Sequence, residues 1–190
     1  MLFDTRTANK AYYNHILARF NRPALTAEQF AYVHMHTVDA AIAFLFRDRK
    51  HIEAVHRFRE SMQYKNFFRY MKIEPHLVRL LENLNRKYKT AIATNRSDTM
   101  EPLLDEFKIR KYFDLVVTSL DVERAKPYPD PLLKILDHFG IRACHAVYIG
   151  DSKVDELASE AAGIPFVAYN NTDLTAKRHI RNLKELDDIL

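Results

Sequence analysis

Four side chains in this 190-residue sequence have the types and the order that phosphate chemistry needs. Thr94 closes the run Thr90-Ala91-Ile92-Ala93-Thr94 and is followed by Asn95 and Arg96. Lys126 opens the Pro-rich stretch Lys126-Pro127-Tyr128-Pro129-Asp130-Pro131. Asp151 closes Ala146-Val147-Tyr148-Ile149-Gly150, and Asp155 follows it by four residues. A hydroxyl and nearby N–H groups hold phosphoryl oxygens, and an ammonium balances their charge. A carboxylate binds Mg²⁺, a hard cation that takes one or two carboxylates together with waters and phosphate oxygens. Phosphoryl transfer asks for little beyond such positioning and a nucleophile. The expected phosphate-binding set is Thr94, Asn95, Arg96 and Lys126. The expected Mg²⁺ ligands are Asp151 and Asp155. Each residue also has a plainer reading: Thr94 and Asp151 as helix N-caps, Asp155 as a first-turn acid favoured by the helix dipole, and Lys126 as a solvated loop lysine. The argument rests on their order and on their common place at the ends of strands.

The elements that must position them follow from periodicity. The runs Thr90–Thr94, Leu115–Thr118, Ala146–Gly150 and Phe166–Tyr169 read as short buried strands. Between them lie helical patterns through Leu77, Leu80, Leu81 and Leu84, through Leu103, Leu104 and Phe107, through Leu132, Leu133, Ile135 and Leu136, and from Glu156 to Ala162 with Gly163 as a C-cap. A last helix is expected near Leu183–Leu190. Alternating strands and helices at this spacing imply βα units, a parallel sheet covered on both faces, and right-handed crossovers that bring the strand ends to one edge. In an open α/β sheet that edge is where ligands bind.

The first seventy or so residues have a different rhythm. Helices are expected over Thr7–Phe20, from a capping box at Thr26 and Gln29, over Thr37–Phe46, and from Lys50 to Met71. No strand is expected before the first of them. The expected organisation is therefore an all-helical unit over residues 1–72 and an α/β core over residues 73–190. His34 and His36 are two apart and do not share a helical face, which argues against a metal pair. Arg47, Arg49, Arg57 and Arg59 read as a solvated face.

Composition bounds the partners. The net charge is +4, and the basic residues are spread along the chain, which disfavours nucleic acid and suits a small anionic ligand. One cysteine, Cys144, excludes an internal disulfide and fits a reducing, cytoplasmic setting. No apolar run is long enough to span a bilayer. Gly140, Gly150 and Gly163 are the only glycines, so P-loop and dinucleotide fingerprints are absent.

These segments resemble the haloacid-dehalogenase-like (HAD) phosphatases, in particular the phosphoglycolate-phosphatase-like branch. Ile92-Ala93-Thr94-Asn95-Arg96 is similar to that family's second motif. Lys126-Pro127 with Pro129-Asp130-Pro131 is similar to its third. Tyr148-Ile149-Gly150-Asp151-Ser152 with Asp155 is similar to its fourth, continued by Ala161-Ala162-Gly163-Ile164-Pro165. The resemblance implies a Rossmann-like core with a helical cap. It also implies a Mg²⁺-dependent phosphatase of a small phosphorylated metabolite. An Asp nucleophile would form an aspartyl phosphate, and a second Asp would act as acid and base. Thr94 would hold the phosphoryl group, Lys126 would stabilise the nucleophile and the developing charge, and Asp151 would hold the metal. A non-catalytic, phosphate-binding relative is the competing expectation.

The family's first motif, an apolar strand ending in Asp-x-Asp-Gly, is not within these residues. Only its continuation, Leu2-Phe3-Asp4-Thr5, is present, and Asp4 does not align with the nucleophile. The core is thus expected to lack its first strand, which in the family lies between the strands ending at Thr94 and Gly150. Neighbouring strands sit about 4.8 Å apart, so its absence separates the flanking pair. Unpaired backbone groups there cost about 1–3 kcal/mol each. The expected resolution is a chain that starts too late, at an internal Met, and is inactive in this form. The alternatives are direct pairing of the flanking strands and a strand from another chain.

Overall fold

The computed structural model describes residues 1–190 save the side chain of Asp188. The chain divides into two compact units, one of residues Phe3–Lys72 and one of Met1–Leu2 with Ile73–Leu190.

The first unit is almost entirely helical. It contains α1 (Arg6–Arg19), α2 (Ala27–Met35), α3 (Val38–Phe46) and α4 (Arg49–Ser61), then a 3-10 segment, Tyr64–Tyr70. Two-residue strands β1 (Phe3–Asp4) and β2 (Lys72–Ile73) pair with each other. The capping box at Thr26 is formed: its hydroxyl accepts from the Gln29 N–H at 3.1 Å, and the Gln29 side chain accepts from the Thr26 N–H at 3.0 Å. Tyr12, Ile16, Val33, Ile42 and Val55 are buried together in the core of the unit.

Two expectations change here. The helix from Lys50 does not run to Met71. It stops at Met62, whose backbone is extended, and the chain turns so that the Tyr64 ring meets Tyr12 edge-on at 4.8 Å. Burial of a large aromatic outweighs local helix propensity at this point. The start of the chain is not purely helical, because Phe3–Asp4 finds a strand partner that no local pattern announces. His34 and His36 take separate partners: the His34 Nδ1 lies 3.0 Å from the Asn9 amide, and His36 stacks on Tyr32 at 3.9 Å.

The second unit is α/β with parallel strands. Its strands are β3 (Ala91–Ala93), β4 (Leu115–Val117), β5 (Tyr148–Gly150), β6 (Phe166–Tyr169) and β7 (Arg178–Ile180). Its helices are α5 (Leu77–Leu84), α6 (Met100–Glu106), α7 (Asp130–Phe139) and α8 (Lys153–Ala162). The strands form two separate sheets. β3 pairs with β4, with Ala93 opposite Val117. β5 pairs with β6 and β6 with β7, with Gly150 opposite Ala168. Among the described residues β3 and β5 do not pair, so direct closure of the flanking strands is not the arrangement adopted. A continuous helical layer still spans the division. α7 packs on β3 and β4, α8 packs on β5 and β6, and the two helices pack on each other. Ala93, Leu132, Leu136, Ala158 and Ile164 form one apolar cluster across that seam, with Tyr148 packed against it. β3 and β5 are thus the inner edges of a sheet in two parts.

The end of the chain differs from expectation in two ways. The segment Leu183–Asp188 is 3-10, not α-helical, and is opened by Asn182, whose side chain accepts from the Lys184 N–H. The strand β7 reads Arg-His-Ile, and its first two residues are exposed, so apolar periodicity gives no sign of it.

Candidate functional site

The ends of β3 and β5 carry the residues singled out above. Thr94 follows β3 directly. Its N–H donates to the Val117 carbonyl at 3.0 Å, which pins it to the neighbouring strand end. Its hydroxyl accepts from the Arg96 N–H at 3.1 Å. That is a turn-forming bond two residues on, not a helix cap, since α6 begins at Met100 behind Thr99. Thr94 is half-buried and still exposes part of its surface at the strand end. Asn95 and Arg96 turn to protein partners: the Asn95 amide donates to the Lys126 carbonyl at 2.8 Å, and the Arg96 guanidinium donates to the Thr99 hydroxyl at 3.2 Å.

Lys126 is not a solvated loop lysine. Its side chain is 9% exposed, and its ammonium donates to the Ala93 carbonyl at 2.9 Å, the Tyr148 hydroxyl at 3.0 Å and the Asp155 carboxylate at 2.7 Å. The loop after β4 thereby reaches across from β3 to β5. Burial by itself favours the neutral amine. The adjoining Asp155 carboxylate and the Tyr148 oxygen more than reverse this and raise the pKa above the ordinary lysine value.

Asp155 corrects the expected metal pair. It lies at the third position of α8 and was expected to join Asp151 as a ligand, but its carboxylate turns into the core. One oxygen accepts from Lys126 and from the Tyr148 hydroxyl, each at 2.7 Å. The other accepts from the Ser152 hydroxyl at 2.5 Å and from the N–H groups of Ser152 and Asp151 at 3.2 and 3.3 Å. Five donors leave no lone pair directed at an ion. Burial would raise the Asp155 pKa; the charge of Lys126 and this set of donors instead lower it to about 2. Gly150 makes the arrangement possible. A Cβ built there would stand 2.6 Å from the Asp155 carboxyl carbon, so only glycine leaves room for the carboxylate to fold inward.

Asp151 keeps its carboxylate outward, with the side chain 45% exposed, and the Met1 nitrogen lies 2.7 Å from Oδ2. The Asn171 amide donates to the Asp151 main-chain carbonyl at 3.0 Å and fixes the backbone there. Beside it, at the end of β6, the Tyr169 hydroxyl donates to the Glu74 carboxylate. Burial and that carboxylate push the Tyr169 pKa up.

Thr94, Lys126 and Asp151 therefore share one edge of the split sheet, while Asp155 stands behind Lys126 as its counter-charge. Sequence reasoning missed Tyr148, Asn171 and the Glu74–Tyr169 pair. Tyr148 had one available signal. It is a polar-tipped ring two residues before Gly150 in an otherwise apolar strand, and a buried phenol needs a partner. Asn171 and Glu74 act through loop geometry, which leaves no periodic trace.

Three comparisons bear on this geometry. The sequence profile of the family described as haloacid dehalogenase-like hydrolase matches residues 1–169. A solved HAD-superfamily hydrolase of subfamily IA from Geobacter sulfurreducens PCA is 35% identical with a TM-score of 0.79, and the match covers 100% of this chain and 91% of that one. A phosphoglycolate phosphatase from Escherichia coli (strain K12) is 38% identical over 95 residues, which are 49% of this chain. The chain spans 38% of the length of that curated relative. CbbY from Rhodobacter sphaeroides, solved in complex with phosphate, shares the fold at a TM-score of 0.84 and 20% identity.

Proposed function

This chain belongs to the haloacid dehalogenase-like hydrolase family, and from that premise we propose that it is the cap and catalytic core of a Mg²⁺-dependent phosphatase acting on a small phosphorylated metabolite of the phosphoglycolate type. The observation that carries the reading is the Lys126 ammonium, buried and charged, bonded to the carbonyl next to Thr94 and held by the Asp155 carboxylate in the first turn of α8. A fixed positive charge between a strand-end hydroxyl and an outward carboxylate is what a phosphoryl group requires.

The donor set suits part of a Mg²⁺ site. Asp151 supplies one hard oxygen ligand with its side chain 45% exposed, and Mg²⁺ commonly takes one or two carboxylates with waters and phosphate oxygens. Bound Mg²⁺ would neutralise phosphoryl charge. Asp151 is the residue here that would hold it, and Asn171 would keep the Asp151 backbone in place. Thr94 and adjacent N–H groups orient the phosphoryl oxygens. Lys126 offsets the charge that develops on them, and Asp155 and Tyr148 hold Lys126. The residues Phe3–Lys72 serve as a helical cap that selects the substrate. The attacking Asp of the family's covalent mechanism belongs to the Asp-x-Asp strand, which is not among these 190 residues. In the family that strand lies between the counterparts of β3 and β5, and a chain without it would lack the nucleophile.

The test is hydrolysis of a generic aryl phosphate with Mg²⁺, comparing the 190-residue chain with a form extended at its N-terminus by the apolar Asp-x-Asp-Gly strand. Activity in the extended form, lost in Thr94→Ala, Lys126→Ala and Asp151→Asn, is expected. Phosphate binding without turnover in both forms would favour a phosphate-binding regulatory protein instead.

A further inference from the structure

Lys126 has three ammonium protons, and all three are engaged: by Asp155 at 2.7 Å, by the Tyr148 hydroxyl at 3.0 Å and by the Ala93 carbonyl at 2.9 Å. A phosphoryl oxygen arriving at the strand end finds no free N–H on this ammonium, so one of the three bonds must yield. The bond to Asp155 joins opposite charges and is the strongest. The bonds to the Tyr148 hydroxyl and the Ala93 carbonyl go to neutral acceptors, and of the two the Ala93 carbonyl lies beside Thr94, where the oxygen would arrive. Breaking it would strand a carbonyl on a residue that is only 9% exposed, and a buried acceptor without a donor is costly.

Tyr148 sits where it can prevent that. Its hydroxyl donates to Asp155 at 2.7 Å, yet it also lies 3.4 Å from the same Ala93 carbonyl. A phenol proton turns about the C–O bond without moving the ring. Asp155 can release it, because Lys126 and the two Ser152 donors remain on that carboxylate. We propose that Tyr148 is a positioning residue for Lys126. When an anionic phosphoryl oxygen draws the ammonium off the Ala93 carbonyl, the Tyr148 hydroxyl turns its proton from Asp155 to that carbonyl and keeps it paired. No proton leaves its atom; two hydrogen bonds are exchanged for two others. The strand-end cation is thereby free to reach a ligand without leaving an orphan in the core. This inference rests on the reading of the strand ends as a phosphate site.

The experiment titrates inorganic phosphate, with Mg²⁺ present, into the 190-residue chain labelled with ¹³Cζ-tyrosine, alongside Tyr148→Phe and Lys126→Ala. Phenylalanine keeps the ring packing and removes only the hydroxyl. The Tyr148 resonance, identified by its absence from Tyr148→Phe, is expected to shift as phosphate saturates the wild type. Phosphate affinity in Tyr148→Phe is expected to fall about tenfold, the size of one lost hydrogen bond, with Lys126→Ala weaker still. Equal or tighter binding in Tyr148→Phe overturns the proposal and leaves the phosphate site standing. Should Tyr148→Phe fail to fold, the wild-type resonance decides: saturation with phosphate that leaves it unmoved overturns the proposal. Wild-type binding that Lys126→Ala retains in full removes Lys126 from the site and defeats the proposal with it. An absence of phosphate binding in the wild type defeats this inference, while turnover by the N-terminally extended form decides the phosphatase reading separately.

Discussion

Lys126 and Asp155 meet at 2.7 Å with their side chains 9% and 7% exposed, so a single carboxylate sets the charge of the ammonium at the strand ends. Breaking a buried pair by deleting one partner leaves the other charge without compensation. Asp155→Ala is expected to destabilise the chain by about 3–5 kcal/mol, well beyond an average surface substitution. Urea unfolding followed by circular dichroism measures this. A loss under 1 kcal/mol would mean that water reaches Lys126 freely.

The same pair gives the acid limb of stability a definite shape. The Asp155 pKa in the folded chain, about 2, lies below its usual 3.8. Its contribution is therefore fully present above 3.8 and is lost as pH falls from there toward 2. Lys126 is shifted upward, so its contribution is complete below its usual 10.5 and fades only as pH rises through the folded value. Asp155→Asn should flatten the fall in stability over the window from 3.8 to 2. Unfolding midpoints measured across that window check it, and a slope identical to wild type contradicts the pairing.

Gly150→Ala tests whether the inward carboxylate depends on a missing side chain. The added methyl group meets the Asp155 carboxyl carbon at 2.6 Å and one of its oxygens at 2.9 Å, and that carboxylate is held in place by Lys126, Tyr148 and Ser152. Overpacking of this kind costs about 1–3 kcal/mol. It should also weaken phosphate binding, because displacing Asp155 displaces Lys126. Denaturation and phosphate titration of one variant give both numbers, and normal values for both would refute the steric argument.

The C-terminus of α6 offers a stabilising change. Lys108 stands there with φ 57°, its N–H bonded to the Asp105 carbonyl and the next N–H, of Ile109, bonded to the Leu104 carbonyl. These are the two bonds of a Schellman motif, whose left-handed position favours glycine. Lys108→Gly should raise stability by about 0.5–1 kcal/mol, because relief of strain exceeds the added entropy of the unfolded chain. A lower thermal midpoint than wild type would count against it.

What could be read in the sequence was what repeats or punctuates. The strands through Ile92, Val116, Ile149 and Val167, the capping box at Thr26 and the C-cap at Gly163, with φ 69°, all follow from local pattern and appear in the structure. Thr94, Lys126 and Asp151 could be ordered along one sheet edge, because right-handed crossovers leave little choice. The direction in which Asp155 points was not legible. First-turn position places it near Asp151, but Gly150, Ser152 and a lysine 29 residues away turn it inward. Tyr64 ends a helix for the sake of Tyr12, which lies far from it in sequence. Such decisions belong to tertiary packing, and no window of neighbouring residues contains them.

The division between β3 and β5 also sets where the fold opens first. Most parallel sheets are least permeable at their middle strands, where amides exchange with deuterium only when the whole domain unfolds. Here the middle of the core carries two rims. Half of the amides on Ala91–Ala93 and Tyr148–Gly150 face away from their only strand partners. Those amides should exchange at the rate of a frayed border, while β6, bonded on both sides, stays protected. A solvent-isotope map of this protein would then look inverted, with its fastest seam running through its centre.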